Sequence, residues 1–206
     1  MEKICLDKTE ILKLKEQCMN LGEVLSYFKT QAEKRGEVVC SVQVNGMTFS
    51  EKDDISFQDT DLQEIQSLVL TTESPQILLK DMLQSLISYI PEVSDLAMRT
   101  ADLFRHPYAE GKLRQFSECL EACQLLTEAL NAATPLLKKM NIYSQVKDEW
   151  KSVEVRFLAE IKEMLDAFQR KDMVLLSDII EYNLSVVLKE WQALTQKIRA
   201  LVNSVA

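Results

Sequence analysis

From Ser74 to the end of the chain, apolar residues recur at steps of three and four, a spacing that admits little besides long amphipathic helices packed on one another. Ser74 as N-cap with Pro75 at the first helical position is a strong start signal. Leu79, Leu83, Leu86 and Ile90 then lead to Pro91, which either kinks the helix or starts a new one. Val93, Ala97 and Phe104 continue the stripe as far as Pro107, read as a stop. A further helix is predicted over about 108–132 on Leu113, Phe116, Leu120, Cys123 and Leu130. Another follows Pro135 and ends near Arg170, on Val146, Trp150, Val153, Phe157, Ile161, Met164 and Phe168.

The stretch "RKDMVLLSDIIEYNLSVVLKEW" opens the last helix. Its seam is Leu176, Ile180, Leu184, Val187, Trp191, Leu194, Ile198 and Leu201, widened by Ile179, Tyr182 and Val186. Asp178, Glu181, Ser185, Lys189, Gln192 and Gln196 fall on the remaining stripe, which puts the two carboxylates toward water.

Ahead of Ser74 the pattern is mixed. A first helix is predicted from about Lys8 to Arg35, started by a capping box at Asp7 and Glu10 and closed by Gly36. Ile11, Leu14, Cys18, Leu21, Leu25, Phe28 and Ala32 form one seam roughly 42 Å long. A seam of that length needs a partner surface, either this chain's own bundle or another molecule. Ile11, Leu14, Leu21, Leu25 and Phe28 are therefore the candidate partner-binding residues, for self-association or for capture of another protein.

In "VVCSVQVNGMTFS", Asn45-Gly46 tolerates the positive φ of a two-residue hairpin turn. Val44 then faces Met47 and Val42 faces Phe49, with Cys40, Val42, Val44, Met47 and Phe49 on one apolar side. Ser41, Gln43, Thr48 and Ser50 take the other. An acidic connector, "EKDDISFQDTDLQE", precedes a third strand over 65–72. The fold class expected is α+β, mainly α: a small three-stranded antiparallel sheet (hairpin 38–50 plus strand 65–72) with an antiparallel bundle of long helices. Its divisions would be 1–73, helix plus sheet, and 74–206, the bundle.

Charge narrows the partners. The net charge is -8, with 14 acids against 8 bases in residues 1–75 and no basic stripe beyond Lys138-Lys139. Nucleic acid and anionic membrane both reward clustered Lys and Arg, so neither is expected as a partner. The five cysteines fit no metal or redox spacing and read as reduced thiols, which favours a cytoplasmic location. No run of 18 apolar residues suggests a membrane span, and "MEKICLDKTE" lacks the apolar core of a signal peptide.

"FRHPYAEGKLRQFSECLEACQLLTEAL" followed by "LLSDIIEYNLSVVLKEW" resembles the C-terminal helical part of an uncharacterised family of bacterial proteins. The "VNG" hairpin with "LTTESPQILL" is similar to that family's N-terminal portion, so the resemblance covers most of residues 38–192. It implies a bacterial cytosolic protein of unknown function and supplies no catalytic residue. The step from Asn183 to Leu184 departs from the more acidic pattern of the family after Tyr182.

Few residues invite chemistry. The single histidine, His106, lies between two helices, with no Ser or Cys tied to it by a local signature. Cys119 and Cys123 are one turn apart, but zinc would need further ligands at the usual spacing. Asp59, Asp61 and Glu64 sit in a stretch with no glycine, against a calcium loop of the EF-hand kind. Asp178 and Glu181 cannot build a di-iron site, which takes more than one histidine. No cofactor or metal is expected. The function expected is a non-catalytic intracellular helical adaptor or chaperone-like protein-binding module. The alternatives are an enzyme with a carboxylate- or cysteine-based site between sheet and bundle, and a small-ligand sensor with a cavity between helices.

Overall fold

The computed structural model describes residues 1–49, 59–106 and 108–204. Ser50 of the expected hairpin, residues 51–58 of the acidic connector and the helix stop at Pro107 lie outside the described residues. The chain divides into two compact units, Met1–Leu78 and Leu79–Ala206.

The first unit runs β1 (Glu2–Asp7), α1 (Lys8–Lys13), a 3-10 turn (Leu14–Glu16), α2 (Leu21–Lys34), β2 (Val38–Val44), β3 (Met47–Phe49), a second 3-10 turn (Leu62–Glu64) and β4 (Ser67–Glu73). Its sheet has four strands rather than three, in the order β1-β4-β2-β3, each antiparallel to its neighbour. The additional strand is β1, whose Ile4 and Leu6 stand opposite Leu70 and Leu68 of β4 and pack toward the core. One face of the sheet buries Val44, Leu68 and Leu70 against Ile11 of α1 and Leu21, Val24 and Leu25 of α2.

The hairpin has the predicted turn and register. Asn45 and Gly46 have φ of 52° and 82°, Val44 faces Met47 and Val42 faces Phe49. Asn45 also accepts from the Gln66 and Ser67 amides at 2.6 and 3.2 Å, so the turn is clamped to the start of β4. The apolar face is corrected at two places. A bulge between Val39 and Ser41 shifts the alternation, so Val39 packs on the core where Cys40 was expected, and the Cys40 thiol donates to the Thr71 carbonyl. Met47, on the short edge strand, is 66% exposed.

The single helix expected from Lys8 to Arg35 is broken. Asp7 and Glu10 form the predicted capping box, but α1 ends at Lys13 and α2 begins only at Leu21. The reason is a second start signal inside the seam. Asn20 accepts from the Glu23 amide at 3.0 Å, and the Glu23 carboxylate accepts from the Met19 amide at 2.7 Å. The Leu21 amide donates to the Thr60 carbonyl at 3.1 Å, stitching the break to the segment before β4.

The second unit contains α3 (Pro75–Arg105, begun in the first unit), α4 (Lys112–Lys139), α5 (Tyr143–Gln169), α6 (Met173–Asp178), a π-helical segment (Ile179–Leu184) and α7 (Ser185–Ser204). α3 starts at Pro75 as predicted and passes through Pro91. α4 passes through Pro135, where a stop was expected. Each proline forgoes one backbone bond, yet Ile90, Val93, Ala133 and Leu136 beside them are buried, so packing prevails. Two non-glycine residues in the left-handed region do the stopping instead: Asn141 (φ 57°) after α4 and Lys171 (φ 58°) after α5. At each, the following amide reaches back to a carbonyl five residues earlier, Ile142 to Leu137 and Asp172 to Ala167, both at 3.0 Å.

Cross-helix pairs fix the directions. Phe104 meets Phe116 and Tyr89 reaches Ala122, so α3 and α4 are antiparallel. Glu160 bonds Asn183 while Glu149 pairs Lys197, so α5 and the last helix are antiparallel. Ala101 accepts from Ser177 and Gln84 from Arg199, which sets the last helix antiparallel to α3. The unit is a four-helix antiparallel bundle with an aromatic centre, Trp150 edge-on to Trp191 at 4.9 Å. Leu113, expected in the seam, is exposed.

Candidate functional site

The five candidate partner-binding residues are held by the first unit itself. Ile11, Leu21 and Leu25 are buried in its core, and Leu14 and Phe28 are half-buried against it. The surface that the seam required is the unit's own sheet together with Leu62 and Ile65.

The carboxylates of the opening stretch have different surroundings. Asp178 is exposed, as its position on the polar stripe predicted. Glu181 is half-buried and paired with Arg105, the last residue of α3. Its departure comes from the π segment, in which one extra residue per turn turns the helix in phase. Ser185 becomes buried and donates to the Glu181 carbonyl at 2.5 Å, while Tyr182 and Val186, expected on the apolar face, are exposed. Asn183 donates to Glu160 of α5 at 3.0 Å, so the segment is braced on two sides. Asp178→Asn should change stability by no more than about 0.5 kcal/mol. Glu181→Gln should cost about 0.5–1 kcal/mol, since the Arg105 partner is itself partly solvated. Equal urea midpoints for the two variants would exclude a distinct role for the Arg105 pair.

The other chemistry-bearing residues are not brought together. His106 is exposed beyond the end of α3. Cys119 and Cys123 are fully buried on α4, where the hydrogen bond with Cys119, and then burial, push the Cys123 thiol up. Both behave there as small core residues. Asp61 caps the second 3-10 turn, accepting from the Gln63 amide at 2.9 Å and pairing with Lys15 at 3.1 Å. Those two contacts hold its carboxyl below the usual range, the backbone donor most. Among the described residues, no group of three or more His, Cys, Asp or Glu side chains is placed to hold a metal ion.

What the second unit presents instead is apolar surface. On α5, Val155, Leu158 and Leu165 are 65%, 48% and 37% exposed, spaced by three and seven residues along one stripe. Between α3 and α4 lies a groove of about 400 Å3 lined by Met82, Leu86, Tyr89, Leu125 and Ala129, with Asp81 and Ser85. The Tyr89 hydroxyl donates to the Ala122 carbonyl at 3.3 Å, and burial pushes the phenol up. Apart from Leu86, these positions lie off the seams read from the sequence, and spacing alone does not say whether a neighbouring helix covers them.

Fold and surface thus define an α+β protein, mainly α, with a small antiparallel sheet unit followed by an antiparallel four-helix unit. The family described as a domain of unknown function, DUF8042, matches residues 81–194, more than half of the chain, and the chain belongs to that family. The family described as the TP0873 N-terminal domain matches residues 3–74. The resemblance to an uncharacterised family is therefore shown. No curated protein and no solved structure matches the chain. No helix among the described residues is long and apolar enough to cross a membrane.

Proposed function

We propose that this protein is a non-catalytic, helical protein-binding module of the adaptor or chaperone-like kind, acting in the cytoplasm. The observation that carries the reading is the exposed stripe Val155, Leu158 and Leu165 on α5. Apolar side chains repeated along one exposed helix face lose unfavourable contact with water when a partner helix or groove covers them. All five cysteines are free thiols, which agrees with a reducing compartment.

The experiment is in-cell cross-linking followed by mass measurement of the purified complex, for wild type and Val155→Asp/Leu158→Asp. The expected result is a stoichiometric partner, or a second copy, bound to wild type and missing from the variant, with unchanged circular dichroism. A monomeric wild type without a stoichiometric partner, or a variant that retains it, would sink the proposal.

The groove between α3 and α4 favours a second reading, a small-ligand sensor. Ala129→Leu fills that groove and leaves the α5 stripe alone. If the module reading holds, this variant captures the partner as wild type does.

A further inference from the structure

At the turn from α4 to α5 the chain gathers three ammonium groups around a concavity that no carboxylate of the described residues lines. Lys138 lies in the last turn of α4, and Lys147 and Lys151 are four residues apart on α5. Together with Asn141, Tyr143 and Ser144 they line a concavity of about 460 Å3. The reversal between the helices is fixed by backbone, with Asn141 left-handed and its amide bonded to the Lys138 carbonyl at 3.0 Å. The Lys138 ammonium lies 5.3 Å from the centroid of the Tyr143 ring, which holds it at the edge of the concavity.

Four other cations of the same unit are matched to carboxylates: Arg105 to Glu181, Arg156 to Glu190, Lys197 to Glu149 and Arg114 to Glu118. Among the described residues, Lys138, Lys147 and Lys151 have no such partner, and no acid lines the concavity. Like charges one helical turn apart disfavour a helix, so Lys147 and Lys151 carry a cost that a bound anion would remove. In a chain of net charge -8, this local excess of positive charge stands against the general trend.

We infer that this concavity binds a small, multiply charged anion of the phosphate-ester class. Lysine ammoniums act as point charges suited to the tetrahedral oxygens of phosphate, whereas planar carboxylates are best met by the guanidinium fork, and the lining holds no arginine. The ligand is small because the positive charge is confined to the turn. Asp148 and Glu149 follow directly on Lys147, so an extended polyanion or an anionic bilayer would meet repulsion beyond the concavity. Nothing in this site depends on the apolar stripe of α5 or on its partner.

The test is isothermal titration calorimetry of the full chain with inorganic pyrophosphate at low ionic strength, alongside inorganic phosphate and vesicles of phosphatidylglycerol. Saturable one-to-one binding of pyrophosphate is expected, tighter than that of phosphate. It should weaken by about tenfold or more at physiological salt, where charges more than roughly 8 Å apart are screened. Lys147→Gln/Lys151→Gln should weaken it by at least about tenfold with an unchanged circular dichroism spectrum, since both side chains are exposed. Lys162→Gln/Lys171→Gln, which removes the same charge elsewhere, should bind as wild type does. The inference is overturned if pyrophosphate does not bind, if both double variants weaken binding equally, or if only the vesicles are bound.

Discussion

Leu21→Asp is expected to unfold the first unit and leave the four-helix unit standing. Leu21 opens α2, is almost fully buried, and packs in the core with Ile11, Leu68 and Leu70. A carboxylate there loses its hydration with no cation in the core to pair it, a cost of about 4 kcal/mol or more. A unit of this length holds roughly 4–12 kcal/mol in total, so the loss removes most or all of its stability. Both tryptophans, Trp150 and Trp191, lie in the second unit, which separates the two signals. Tryptophan emission should keep its wild-type urea transition, while amide exchange in β1, β2 and β4 becomes fast. Retained protection in those strands would mean that Leu21 is not core. Loss of the tryptophan transition would mean that the two units unfold as one.

The same residue shows what sequence reading can and cannot give. Ile11, Leu14, Cys18, Leu21, Leu25 and Phe28 keep helical steps throughout, and that periodicity does mark residues packed on the unit's core. It does not require one helix. Asn20 and Glu23 supply a second N-terminus inside the series, and the unbroken spacing hid it. Pro135 misled in the opposite direction, as a stop signal that tertiary packing overrode, while Pro91 was left open between a kink and a new start and lies within α3. The hairpin was legible because a two-residue turn leaves little choice beyond residues that accept positive φ, as Asn45 and Gly46 do. The bulge at Cys40 was not, because an extra residue in a strand leaves no compositional mark.

The π segment left no distinct mark either. Leu176, Ile180 and Leu184 are spaced by four and four, but so are Val153, Phe157 and Ile161 within the α-helical α5. Its wider turn brings Glu181 to Arg105 and carries Tyr182 and Val186 out to solvent. The lysine concavity was likewise beyond the reach of spacing. Lys138 was visible beside Lys139, but Lys147 and Lys151 lie across a turn whose geometry depends on a left-handed Asn141. Surface that is apolar yet exposed, such as Val155 and Leu158, was equally unreadable, because exposure depends on which helices are neighbours and periodicity reports only which face is apolar.

The largest loss in the four-helix unit should come from Trp191→Ala. Trp191 is buried on the last helix and meets the buried Trp150 of α5 edge to face, with ring centroids 4.9 Å apart. Truncation to alanine removes the largest core side chain and leaves a cavity that helices on each side cannot close, a loss of about 3–5 kcal/mol. The edge-to-face pair adds about 0.5–1.5 kcal/mol to that. Trp191→Phe separates ring packing from the indole nitrogen. The buried Trp191 N–H has no hydrogen-bond acceptor among the described residues, so phenylalanine discards a polar group for which the core provides nothing. Its smaller ring still reaches Trp150, and the net cost should be about 1–2 kcal/mol, well below that of alanine. The check is urea unfolding of both variants followed by far-ultraviolet circular dichroism and by the emission of Trp150. If phenylalanine proves as costly as alanine, the indole nitrogen has an acceptor in the folded chain, and its bond rather than ring packing holds the centre of the bundle.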